Sequence, residues 1–194
     1  MLQLSDRLQA VASMVTENNR LADVGTDHAY IPIYLCQTGK IPSAVAMDVK
    51  KGPLLRAEQN ITLYQLENHI QIRLSDGVQK LDAGEVDSVV IAGMGGTLVQ
   101  KILEDGKKVL QTVKELVLQP QSDIDAVRRY LQENEYCITG EKIICEDGKY
   151  YPMMHVIHGH MESWTDIEWK YGAFLLKERN PVLWDFLKKE AQSL

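Results

Sequence analysis

Cysteine is scarce in this chain: Cys36, Cys137 and Cys145 stand far apart, and none belongs to a Cys-x-x-Cys pair. That excludes a disulfide-stapled scaffold and a cysteine-built metal knot, and three reduced core thiols in a cytoplasmic protein are expected instead. Long apolar runs are missing too; none approaches the ~20 residues that span a bilayer. The start, Met1-Leu-Gln-Leu-Ser-Asp-Arg7, has neither the basic flank nor the apolar core of a secretory signal. No membrane partner is expected. Positive charge is in deficit, with 21 Lys and Arg against 27 Asp and Glu and a formal net charge of −6. Indiscriminate nucleic-acid binding is thereby excluded, although a local basic face is not. Repeats and low-complexity linkers are also absent.

What is present suits one α/β domain with a small appendage: 194 residues, 45% hydrophobic and 25% charged. Leu4, Leu8, Val11, Ala12 and Val15 predict a first helix over 4–15, capped by Ser5 or Asp6, that packs on the sheet edge or roofs a ligand site. Leu21 to Val24 reads as a short buried strand, Gly25 as a tight turn, and 29–38 as a helix closed by Gly39. Strands are predicted over Ala44 to Met47, over Ile70 to Leu74 with Ile70, Ile72 and Leu74 inward, over Asp87 to Ala92, and over Glu115 to Leu118. Helices lie between them. Pro53 suits the first position of one, Thr97 caps a helix over 98–103, and Ser122 or Asp123 caps one that buries Ile124, Val127 and Leu131. Residues 137–146 and 149–158 then form a hairpin around Asp147-Gly148, with Pro152 needing a strand start or bulge. Beyond His160, Trp164, Ile167, Tyr171, Phe174 and Leu175 run at helical spacing, and Asn180-Pro181 opens another helix. The division expected is a ligand-binding domain over 1–160 and a helical appendage over 161–194.

In a parallel sheet, ligands bind at the carboxyl ends of the strands near the topological switch point. Every unusual glycine or polar cluster falls at such an end: Gly25-Thr-Asp-His28, Asp48, Asp76-Gly77, Gly93-Met-Gly-Gly96 and Gln119-Pro120. Asp48 lies 23 residues after Gly25, the distance at which an acid ending the second strand accepts from a ribose diol. Asp76-Gly77 would then face an adenine edge. No G-x-G-x-x-G follows Val24, and the turn carries Asp27 and His28 instead. Acids are poor neighbours for a pyrophosphate and good ones for a sulfonium with an ammonium, so S-adenosylmethionine is favoured over a dinucleotide. With the hairpin finish, the expected fold is a class I methyltransferase Rossmann-like sheet: parallel strands, a C-terminal antiparallel hairpin and a short helical appendage.

Asp23-Val-Gly-Thr-Asp-His-Ala-Tyr-Ile-Pro32, Asp76-Gly77, Ala92-Gly-Met-Gly-Gly-Thr97 and Leu118-Gln-Pro120 resemble the TrmK family, the bacterial tRNA (adenine(22)-N1)-methyltransferases. The likeness spans about residues 1–160. It continues through Lys170-Tyr-Gly-Ala-Phe-Leu-Leu-Lys-Glu-Arg-Asn-Pro181, which resembles the start of the family's helical C-terminal domain. The resemblance implies that Asp23, Gly25, Asp48, Asp76 and Gly77 bind S-adenosylmethionine, with Gly93 and Met94 beside its methionine end. Thr26, His28, Val49 and Ala92, flanking these positions, complete the expected cofactor site. Asp48 stands where the family more often carries glutamate. The second arm of the family's long helical pair is missing, so the tail reads as truncated or as a short variant.

The resemblance also implies tRNA as partner and adenine N1 as the methyl acceptor. A base attacked at N1 becomes cationic, and a nearby carboxylate stabilises it or takes a proton from the exocyclic amine. Asp27, on the first-strand turn, is the candidate catalytic residue; capping the next helix is its bland alternative. Gly95 and Gly96, with Gln119 and Pro120, are the candidate substrate-binding positions, the glycines letting a flat base approach the backbone. No metal is expected, because His155, His158 and His160 lack a Cys or carboxylate to complete a ligand set. Lys50-Lys51, Arg128-Arg129 and the tail's Lys170, Lys177, Arg179, Lys188 and Lys189 either meet phosphate or are simply solvated. A monomer is favoured. Two rivals stay open: the same fold acting on another RNA or a small molecule, and a non-catalytic RNA-binding module that kept the cofactor fold.

Overall fold

The computed structural model describes residues 1–192. Seven strands form one sheet: β1 (Leu21–Val24), β2 (Ala44–Asp48), β3 (Ile70–Leu74), β4 (Ser88–Met94), β5 (Glu115–Pro120), β6 (Tyr136–Glu146) and β7 (Lys149–His158). Their order is β3-β2-β1-β4-β5-β7-β6, with the first five parallel and β7 antiparallel to both neighbours. Strand order reverses between β1 and β4, so the loops after these two strands flank the switch point where such sheets open a crevice.

Successive residues of a strand point to opposite faces, and this parity sorts the core into two layers. Val89 and Ile91 pack with Leu116 and Leu118 on one face, whereas Val90 and Val117 pack on the other. The first face is covered by α4 (Gly96–Asp105), the short α5 (Lys107–Leu110) and α6 (Ile124–Glu133). The second takes α1 (Asp6–Met14), α2 (Tyr30–Gln37) and α3 (Lys51–Leu63). Each fully buried Val, Ile or Leu contributes about 1.5–3 kcal/mol, so the two layers dominate stability.

Several sequence expectations meet a different local physics. Ile72 and Leu74 are exposed, because β3 is the sheet edge and only Ile70 reaches a helix. Pro53 sits in the third position of α3, still inside the turn where a missing N–H costs nothing. Gly95, not Thr97, is the N-cap of α4, and Asp123 caps α6 in a left-handed conformation with no side-chain bond. Pro152 lies within β7 opposite Ile143, past the stretch of β7 that pairs with β5. The Asp147-Gly148 turn is as expected, both residues having positive φ.

The tail is three short helices. The helical spacing over 164–175 is broken at Gly172 (φ +96) into α7 (Asp166–Tyr171) and α8 (Ala173–Lys177), and α9 (Pro181–Gln192) follows an Asn180 cap that accepts from the Val182 and Leu183 N–H groups. Met161, Trp164 and Phe174 pack against the sheet core. Arg128, read from sequence as a possible phosphate contact, is instead 1% exposed and paired with Glu141 at 2.8 Å. Its Nη1 donates to the carbonyls of Trp169 and Lys170. A cation so enclosed holds the tail to the body and cannot meet RNA. The end of the expected appendage, Ser193 and Leu194, lies outside the described residues.

Candidate active site

The turn after β1 is drawn over the end of β2: Gly25 and Thr26 both donate their N–H to the Met47 carbonyl, at 2.8 and 2.9 Å. Gly25 has φ +76, a backbone conformation that favours glycine, and the tip of the flexible Met94 side chain rests against the position a Cβ would take. Ala29, at φ +56, then starts α2 with no side-chain cap. Asp27 therefore does not cap that helix. A cavity of about 340 Å³ opens beside this turn, lined by Asp23, Gly25, Thr26, Asp27 and His28 from the β1 side and by Ala92 and Gly93 from β4. Seven of the residues singled out by sequence thus meet in one place.

Asp23 is buried, and desolvation pushes its carboxyl up to about 6, with the neighbouring Asp48 charge acting in the same direction. The Thr26 hydroxyl nearby works against that shift, yet it is not aligned for a hydrogen bond and is the one buried side-chain polar atom without a partner among the described residues. A buried acid and an orphaned hydroxyl each cost folding free energy, of order 1–3 kcal/mol for an unsatisfied group, which a cationic hydrogen-bonding ligand would recover. Asp27, by contrast, is 60% exposed at the mouth. One of its oxygens accepts from Arg56 of α3, and the other faces His28 Nε2 at 3.3 Å. The His28 ring stacks on Tyr30 with centroids 4.9 Å apart, and the Asn60 side chain donates to the His28 carbonyl at 3.0 Å.

Arg7, from the polar side of α1, completes the roof. Its Nη1 donates to Gln119 Oε1 at 3.0 Å, and its guanidinium lies 5.5 Å from the Tyr151 ring centre. The same Gln119 oxygen accepts the Gly93 N–H at 3.2 Å. Gln119 and Pro120 are themselves buried and do not line the cavity, so this amide ties α1 to the β4 loop and does not meet a substrate directly. Gly93 (φ +75) faces the cavity, but Gly95 and Gly96 do not. A Cβ on Gly96 would strike the Ser122 carbonyl, and one on Gly95 would lie 3.3 Å from Ser122 Oγ. Those two glycines serve the packing of α4 against the β5–α6 loop. Arg7 escaped the sequence reading because a single arginine on an amphipathic helix carries no signal that it reaches a strand end far away in the chain.

Asp48, Val49, Asp76 and Gly77 sit at the ends of β2 and β3 and are not part of the cavity wall. Asp48 Oδ1 accepts the Lys50 N–H at 2.7 Å, and Asp76 and Val49 are exposed. Gly77 (φ +55) packs against Ile102 of α4. Met94 lies across Gly25 outside the cavity lining. The histidines are used elsewhere: His155 Nε2 meets Glu115 at 2.7 Å and His158 Nε2 the Leu110 carbonyl at 2.8 Å. Among the described residues no group of three His, Cys, Asp or Glu is placed to hold a metal ion, and no helix is long and apolar enough to cross a membrane.

The sequence matches the family described as a methyltransferase domain over residues 4–154. It is 38% identical to the tRNA (adenine(22)-N(1))-methyltransferase of Bacillus subtilis over 198 aligned positions, covering 100% of this chain and 82% of that protein. Streptococcus pneumoniae Sp1610, solved in complex with S-adenosyl-L-methionine, superposes with a TM-score of 0.95 at 40% identity, over 98% of this chain and 89% of that one. M. capricolum TrmK, solved with S-adenosyl-homocysteine, gives 0.87 at 28% identity, over 99% and 85% of the two chains.

Proposed function

Because this chain belongs to the TrmK family of tRNA (adenine(22)-N1)-methyltransferases, we propose that the cavity between the β1 and β4 loops is where its methyl donor and the target adenine meet. The protein is an S-adenosylmethionine-dependent enzyme that methylates N1 of an adenine in tRNA. The strongest support for the site is the buried Asp23 beside the unpartnered Thr26 hydroxyl, a pairing that suits a cationic ligand with donors.

Asp23 and Thr26 would hold the donor's ammonium, Arg7 its carboxylate, Asp48 its ribose hydroxyls, and Asp76 with Gly77 its adenine edge. When bound, this donor supplies an electrophilic methyl group on a sulfonium. The chain's own residues do the rest. Gly93, held by Gln119, adds no side chain to the cavity wall, where the Arg7 guanidinium and the Gln121 amide lie over it and a flat base would stack or bond. The α1 roof excludes water. Asp27, at the mouth, faces the base as it turns cationic and stabilises that charge, with His28 orienting the carboxylate. Alignment and exclusion of water carry most of the acceleration in a displacement of this kind. Such an enzyme works in the cytoplasm, and as a monomer, for which a single-chain mass by light scattering is the check.

Incubation with labelled donor and total tRNA, followed by nucleoside analysis, tests the reading. 1-Methyladenosine is the expected product. A different methylated nucleoside points to another RNA substrate, and donor binding without transfer to a non-catalytic role. In the same assay Asp27→Ala keeps donor affinity within about tenfold while turnover falls much further; unchanged turnover removes Asp27 from the chemistry.

A further inference from the structure

The proposed catalytic carboxylate already has a partner within the chain. Asp27 Oδ1 accepts from both Nε, at 3.2 Å, and Nη2 of Arg56. A guanidinium in that place opposes the reaction in two ways: it occupies the oxygen that should face the base, and it repels a ring that is becoming cationic. Arg56 must leave Asp27 before methyl transfer. The pair separates readily, since the two side chains are 47% and 60% exposed and an ion pair in water holds weakly. What remains is where the guanidinium goes.

Three cations gather at this end of α3. Arg56 Nη1 folds back to 4.0 Å from where a Cβ on Gly52 would stand, which puts its charge beside the helix start. Lys50 and Lys51 occupy that start, both exposed and neither in an ion pair among the described residues. The Lys50 N-cap carries no side-chain bond to the first-turn N–H groups. In a chain of net charge −6 these three cations are a local cluster of positive charge, joined to the cavity through the pairing of Arg56 with the lining residue Asp27. The Asn60–His28 bond anchors the Asp27 loop to the same helix, so the cluster and the carboxylate keep a fixed spacing. A planar guanidinium that gives up a carboxylate is best satisfied by another two-oxygen anion, and on an RNA substrate that anion is a backbone phosphate.

We infer that Arg56 is an exchange latch: it holds Asp27 while the site is empty of RNA, and trades that carboxylate for a tRNA phosphate on docking, which frees Asp27 for the adenine. Arg56 is thus a positioning residue, assisted by Lys50 and Lys51. The inference rests on the assignment of Asp27 to the chemistry, but its phosphate arm is measurable alone.

The experiment compares Arg56→Ala and Arg56→Lys in the whole enzyme, with kcat and KM for unmodified tRNA taken over a range of salt and donor affinity measured by calorimetry. For Arg56→Ala the expected result is a KM for tRNA raised about tenfold and a plot of log kcat/KM against log salt shallower by about one, while kcat at saturating tRNA is maintained. Donor affinity stays within twofold of the parent, and Arg56→Lys restores the salt slope because a point charge still neutralises the phosphate. An unchanged salt slope and KM overturn the latch, as does a fall in kcat with KM unmoved, which would make Arg56 a static support. Asp27→Asn separates the two readings: if turnover survives it, the assignment of Asp27 fails, whereas phosphate capture stands or falls on the Arg56 slope.

Discussion

At Asp23 the fold holds a carboxylate in the wrong solvent. Burial lifts its pKa to about 6, so the free enzyme binds a proton there as pH falls through that value. A cationic donor favours the ionised form, and binding below pH 6 must therefore expel the proton. The affinity for S-adenosylmethionine is expected to weaken about tenfold between pH 7 and pH 5, with proton release on binding in that range. Calorimetry in buffers of different ionisation enthalpy reads both quantities, and Asp23→Asn should flatten the profile. At this scale the sequence was informative at the ends of β1 and β4, whose loops line the cavity, and less so at Asp48, Asp76, Gly77, Gln119 and Pro120, strand-end residues outside its wall. Gly25 and Asp23 could be assigned because backbone reversal and charge are local properties. Arg7 could not, since its partners Gln119 and Tyr151 are brought to it only by the completed sheet.

Among the elements, the amino ends of the central strands are fastened by carboxylates that play no part in the cavity. Asp87 is held well below the usual carboxylate range by the Arg20 guanidinium, and it also meets Lys114 at 3.0 Å. Glu115, at the start of β5, accepts from the Thr16 backbone, the Thr16 and Ser88 hydroxyls and His155. Burial alone would raise its pKa, but these donors together bring it down to about 2 from an ordinary 4.5. The folded state thus prefers the ionised Glu115, and this contribution is complete above about pH 4.5 and lost as pH falls toward 2. Its size is roughly 2–3 kcal/mol. Urea unfolding of the parent and Glu115→Gln should differ by about that amount at pH 7, with the gap narrowing below about pH 4.5 and closing only as pH approaches 2; a gap independent of pH would assign the loss to packing. The strands along the chain and the hairpin were legible because apolar runs and an Asp-Gly turn are read within a few residues. The exposure of Ile72 and Leu74 was not, because edge position depends on what pairs beyond β3.

For the molecule as a whole, the junction of tail and body is the feature that composition hides. Arg128 and Glu141 form a closed ion pair at 2.8 Å, and Gly172 crosses directly above it: a Cβ there would lie 2.6 Å from Glu141 Oε2 and 2.8 Å from Arg128 Nη2. Removing one partner strands the other charge, so Arg128→Ala is expected to cost about 3–5 kcal/mol, measured by urea unfolding followed through tryptophan fluorescence. A loss under about 1 kcal/mol would mean that water reaches the vacated site. In sequence Arg128 is one arginine of a pair on an amphipathic helix. Only the fold shows that it faces the carbonyls of Trp169 and Lys170, and that the helical spacing of the tail is interrupted to let Gly172 pass.

The roof over the cavity also sets an order of events during synthesis. Arg7 reaches Gln119, its own N–H is accepted by Glu146, and Ser13 receives Lys142, so α1, which precedes the whole sheet, is seated by the sheet's last hairpin. A nascent chain on the ribosome has its glycine turn ready early, yet its donor pocket stays open to water until that hairpin has left the exit tunnel.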